Sequence, residues 1–208
     1  MNINKNVIRK WPLLLASCAL LTACASAPSN PTANTAQAQA QANASTQGPT
    51  YGESELVSAI STHLGVTSES AATAIERLFK ERGRPAGYIT GEEGGGAFTV
   101  GARYGKGTLW MKNGETKQVY WQGPTIGFDI GAEASKVFTL VYNLNDADYI
   151  YQRFPGVDGS AFLIAGMAIN YQRANGVTLA PVRTGVGVRL GANIGYTSYT
   201  RNRSLIPL

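Results

Sequence analysis

The chain has 208 residues, 44% hydrophobic and 15% charged, with eighteen Lys/Arg against thirteen Asp/Glu, a single His and two Cys. That size suits one ordinary domain with one hydrophobic core. One histidine cannot build a multi-histidine metal centre, and a formal charge of +5 supports a polyanion partner only if the charge lies in the folded part.

Lys5, Arg9 and Lys10 precede the apolar run WPLLLASCALL, which ends in Leu21-Thr22-Ala23-Cys24. The run is too short for a permanent membrane span, and small residues stand immediately before the cysteine, where a signal peptidase needs a narrow cleavage site. Residues 1–23 therefore read as an export signal, and this N-terminus resembles that of bacterial lipoproteins. The resemblance implies that Cys24 becomes the acylated first residue. Several acyl chains at about 0.8 kcal/mol per buried methylene give a stable membrane anchor. Ala25 after the cysteine favours the outer membrane by the same resemblance. A plain secretory signal leaving Cys24 as a free thiol is the alternative. Cys18 leaves with the signal, so no disulfide, thiolate catalyst or cysteine metal site is expected. Three basic residues leave as well, and the mature chain keeps fifteen against thirteen acids, a net charge of +2. Export and this small charge argue against a nucleic-acid partner.

Residues 24–50 are Ala, Gln, Ser, Asn, Thr, Pro and Gly after the cysteine, with no charge, and cannot bury a core. They read as a tether with a root-mean-square reach of about 25–30 Å. Residues 51–208 then form a single domain. In ESELVSAISTHLG, Leu56, Ile60 and Leu64 repeat every four residues before Gly65, which predicts a helix with a glycine cap. In TSESAATAIERLFKERG, Thr67, Ser68 or Ser70 caps a second helix with a stripe of Ala71, Ala74, Ile75, Leu78 and Phe79, ended by Gly83 and Pro85. The lone His63 falls near the end of the first helix, where its helix dipole favours it.

After Gly87 the pattern turns to strands: AFTVGARYG, GTLWMKNGETKQVYWQG, PTIGFDIG, KVFTLVYNL, SAFLIAGMAINYQ, VTLAPVRTG and GVGVRLGANIGYTSY. Asn113-Gly114 and Asn175-Gly176 mark hairpins, and NDADYIYQRFPG reads as a brief helix started by Asn145 or Asp146. Short consecutive strands with interior glycines predict an α+β fold, an N-terminal helical segment packed on a small, curved, mostly antiparallel β-barrel. The blocks GRPAGYITGEEGGGAFTVGARYGKGTLWMKNG, VYWQGPTIGFDIG, FTLVYNL, YQRFPGVDGSAF and APVRTGVGVRLGANIGYTSYT are similar to those of the bacterial EipA family of envelope-integrity proteins. The resemblance runs from about Ser54 to Thr200. It implies a periplasmic, non-enzymatic protein with a small β-barrel, whose loss compromises the cell envelope. GPTIGFDIG and the glycine-rich strands also resemble SYLF-type lipid-binding domains.

Chemistry is sparse. Glu92-Glu93 before three glycines is the most enzyme-like feature, but adjacent strand residues point to opposite faces and cannot flank one glycosidic bond. A solvated or glycine-turn role is expected for the pair, which disfavours a wall-remodelling enzyme. RTGVGVRLGANIGY resembles a dinucleotide fingerprint but lacks its spacing and its downstream acid. Its alternation instead reads as a strand with Arg183, Arg189 and Asn193 on the glycine face. Arginine forks bind phosphate and carboxylate, so these residues, with Asp129 as a cleft partner, are the candidate ligand-binding set. The same arginines can instead pair with acids of the earlier half. No cofactor or metal is implied. The expected partners are a membrane, through the N-terminal lipid, and an anionic lipid, lipopolysaccharide, peptidoglycan or an envelope protein. A spanning pore is disfavoured, since an anchor is redundant for it and the strands carry glycine more than lipid-facing aromatics.

Overall fold

A computed structural model of the chain describes residues 48–129, 135–184 and 195–203, with backbone alone for 96–101 and 125–129. The signal, Cys24, most of the tether, Arg189 and Asn193 lie outside the described residues.

Two helices open the domain where the periodicity places them. Helix α1 spans Glu53–Leu64, its start tied by the Gly52 N–H donating to Glu55 Oε2 at 2.8 Å, its end at Gly65 with φ +71°. Helix α2 spans Ser68–Arg82, and Thr67 is the cap, its hydroxyl accepting from the Ser70 N–H at 3.2 Å. Leu56, Ile60 and Leu64 of α1 and Ala71, Ala74, Ile75 and Leu78 of α2 are buried together.

Among the described residues nine strands follow: β1 Gly87–Met111, β2 Thr116–Asp129, β3 Ser135–Tyr142, β4 Arg153–Pro155, β5 Phe162–Ile164, β6 Met167–Ile169, β7 Gln172–Ala174, β8 Val177–Thr184 and β9 Tyr196–Thr200. A single sheet runs β4-β9-β2-β1-β3-β8-β6-β5, with β7 also on β8, and every described ladder is antiparallel. Its β4 and β7 ends meet at the Gly156↔Gln172 bridge, where the Val157 N–H donates to the Tyr171 carbonyl at 2.9 Å. The expected helix pair on a curved antiparallel sheet is what the chain forms. The brief helix of NDADYIYQRFPG is a 3-10 turn over Ala147–Ile150, capped by Asp146, and its Arg153–Pro155 end is β4.

The longest strand departs from the sequence reading. β1 is continuous where two strands were read, and it begins at Gly87, before the first of them. Its early part pairs with β3 and its later part with β2, and its two ends lie side by side. Lys112 N–H donates to the Ala86 carbonyl at 2.9 Å, and Trp110 Nε1–H donates to Thr90 Oγ1 at 2.9 Å. A Cβ on Gly91 would run into the Lys106 carbonyl and one on Gly107 into the Thr90 carbonyl, so the close approach requires glycine at both places.

The alternation of β3 and β8 sorts two cores. Phe138, Leu140, Ala180 and Val182 face the helices, whereas Val137, Val141, Val177 and Leu179 face the inside of the curve with Ile89, Leu109, Trp121, Phe154 and Tyr199. Both faces of these strands are buried, which accounts for their nearly unbroken burial. Each large side chain so buried stabilises the fold by about 1.5–3 kcal/mol.

Candidate functional site

Among the described residues the inner face carries charge at one place. Register puts Gly91 of β1, Val137 of β3 and Arg183 of β8 in one row across the sheet, and Glu93 lies two residues beyond Gly91 on the same face. Arg183 and Glu93 reach each other past Val137: Arg183 Nε donates to Glu93 Oε1 at 2.5 Å and Nη2 to Oε2 at 3.3 Å. Arg183 Nη1 also donates to Asn170 Oδ1 at 3.1 Å. Trp121 Nε1–H reaches Glu93 Oε2 at 3.2 Å, and Arg103 Nε stands 3.6 Å from Oε1. The Glu93 side chain is 5% exposed and that of Arg183 13%, so this is an interior ion pair.

Burial alone would push the Glu93 carboxyl up; the Arg183 guanidinium and then Arg103 outweigh it and hold it below the usual carboxylate range. Arg183 is held protonated by the same partner against its own desolvation. Tyr199 lies beside the pair, and burial raises its phenol well above the ordinary value. The indole of Trp121 lies over glycines, and a Cβ on Gly105 would overlap its ring.

This arrangement corrects the reading of Glu92-Glu93. The two do point to opposite faces, Glu92 exposed, but Glu93 is buried and bound. Its carboxylate is ionised and engaged by several donors, so it has no proton to give as an acid and is poorly placed as a base. Of the candidate ligand-binding residues, Arg183 is engaged with an acid of the earlier half. Asp129 stands opposite Ala97 in the β1–β2 register, with its backbone alone described. Arg189 and Asn193 lie outside the described residues. His63 sits in the last turn of α1 as read, yet its partners are in the sheet: Nε2 is 3.1 Å from the carbonyls of both Gly91 and Val137 and 3.2 Å from the Gly91 nitrogen. It pins the helix to the β1–β3 seam.

A small cleft adjoins the ion pair, lined by Arg103, Trp121, Gln172 and Thr197 over Gly123 and Gly156. Gln172 Nε2 donates to Thr197 Oγ1 at 2.9 Å, and Gln172 Oε1 is buried without a hydrogen-bond partner among the described residues. Among the described residues no three His, Cys, Asp or Glu gather as a metal site, and no helix is long and apolar enough to cross a membrane.

Among curated proteins none matches the chain. A crystal structure of a beta-barrel-like, uncharacterized protein from Brucella abortus is 44% identical, covering 77% of this chain and 100% of that one, with a TM-score of 0.70. Residues 49–208 match the family described as envelope integrity protein A. That match spans more than half of the sequence, and the chain belongs to the EipA family.

Proposed function

We propose that the protein is a periplasm-facing lipoprotein, anchored to the outer membrane through Cys24. Its domain would serve envelope integrity by binding an anionic envelope component or an envelope protein. The observation that carries this reading is the family match over residues 49–208, which follows directly on the lipoprotein-like N-terminus and its uncharged tether. The interior supports binding over catalysis, since the one buried carboxylate among the described residues serves as the counter-ion of Arg183. With Arg183 so engaged, contact with an anion falls to Arg189 and Asn193, with Asp129 kept in the candidate set.

The test is a deletion strain complemented with the wild-type gene or with Cys24→Ser, challenged with detergent and cell-wall antibiotics, alongside intact mass of the purified protein. The expected result is a diacyl or triacyl adduct on Cys24, sensitivity of the deletion strain, rescue by wild type and weaker rescue by Cys24→Ser. An unmodified Cys24 overturns the anchor; survival of the deletion strain equal to wild type under all these stresses overturns the integrity role.

A further inference from the structure

We propose that the aromatic face around Trp110 is a membrane-docking surface that lays the domain against the lipid layer holding its own anchor. The inference rests on the lipoprotein reading of Cys24. The chain enters the domain at Tyr51, whose N–H donates to the Pro85 carbonyl at 2.9 Å. Tyr51 packs edge-on to Tyr88 with ring centroids 4.9 Å apart, and Tyr88 stacks on Trp110 at 6.5 Å. This row of three rings therefore begins at the point where the tether leaves. Trp110 ends the row 39% exposed, an unusual state for the largest side chain in a domain whose other described tryptophan is buried. Its ring is fixed by the Nε1–H donation to Thr90. Lys112 lies over the Tyr51 ring at 4.8 Å and is paired with Glu55, which leaves this patch close to neutral.

Tryptophan and tyrosine with a lysine at their margin are the residue types that settle at the headgroup level, ring in the acyl boundary and polar edge in water. Near-neutrality selects interfacial insertion over attraction to anionic lipid. A patch this small would hold a free protein weakly. A tether reaching about 25–30 Å from the bilayer keeps the patch at high effective concentration, so a weak contact suffices.

Residue counting makes the test clean. Once residues 1–23 are removed, Trp110 and Trp121 are the only tryptophans and Cys24 is the only cysteine. The unacylated mature chain, residues 24–208, is coupled through the Cys24 thiol to a maleimide lipid in neutral phosphatidylcholine vesicles, with or without brominated acyl chains. The expected result is loss of most of the Trp110 emission in brominated vesicles. The same loss should appear at low and high salt, and it should vanish in Trp110→Phe, whose remaining Trp121 emission should match between the two vesicle types. Trp110→Phe is also melted thermally to show that its fold is retained. Equal wild-type emission in brominated and plain vesicles overturns the proposal, including the case in which the coupled chains self-associate through this face. Because coupling is chemical, an unmodified Cys24 in cells would defeat the anchor reading without changing this readout.

Discussion

Substituting Arg183 with alanine would leave the Glu93 carboxylate buried without its closest cation, and breaking one side of an interior pair costs about 3–5 kcal/mol. We expect Arg183→Ala to lower the melting temperature, at about 2–4 °C per kcal/mol for a domain of this size. Glu93→Gln should also destabilise, by taking from the buried Arg183 its counter-ion. The double variant should cost less than the two singles added, because they share one interaction. Chemical denaturation of all four chains measures the coupling; simple additivity would mean the pair does not act as a unit. The pH dependence follows from the depressed Glu93 carboxyl. Its contribution is fully present above the unfolded carboxylate pKa of about 4.3 and is lost as pH falls through the lower folded value. Wild type should therefore lose stability in acid through a step that Glu93→Gln lacks.

At the scale of elements, Gly91 and Gly105 of β1 are seats for Trp121. Gly105→Ala places a methyl inside the indole, and overpacking of this kind costs about 1–3 kcal/mol. The same substitution should cost less in a Trp121→Phe background, where the ring is smaller; an equal cost in both would show that the backbone, not the ring, objects. This packing also explains what the sequence did and did not reveal. The helices were legible because Leu56, Ile60 and Leu64 repeat at helical spacing and glycines close both helices at positive φ. Asn175-Gly176 was legible because both residues take positive φ in the β7–β8 turn. The start of β1 was not, because GYITGEEGGG carries paired acids and glycines that locally signal a turn, and only the later half of β1, packed on Gly91 and Gly95, with the indole from β2, turns them into a strand floor. Ala165-Gly166 carries no sequence signal for the β5–β6 turn, because alanine at φ +48° is locally unfavourable. Arg183 and its candidate acidic partners were legible as residue types, but the choice of Glu93 depends on Val137 standing between two ladders.

Across the whole molecule, folding neutralises part of the C-terminal charge. Gly159–Leu208 contains five arginines and no acid. Arg183 is paired with Glu93, Arg201 with Asp148, and Arg173 donates to Thr178 at 3.2 Å. Arg173 and Arg203 stay exposed and charged, and Arg189, the remaining member of the candidate ligand-binding set with a cation, is the one an anionic ligand is expected to need. We expect Arg189→Ala to reduce retention on anionic-lipid vesicles, lipopolysaccharide and peptidoglycan sacculi at low salt, with an unchanged melting temperature. Retention equal to wild type on all three would remove Arg189 from the ligand-binding set. The sheet order has one more implication, for time. β9, the last strand described, lies between β4 and β2, so the ring of strands has a missing stave until Tyr196–Thr200 arrives. A chain emerging N-terminus first can form α1, α2 and the β1–β3 pairing early, yet must wait for nearly its whole length before it can close. Such late, distant pairing is intrinsically slow. During that wait, the inner faces of β2 and β4, with Trp121 and Phe154, are open to water and to any chaperone that recognises unfinished strands.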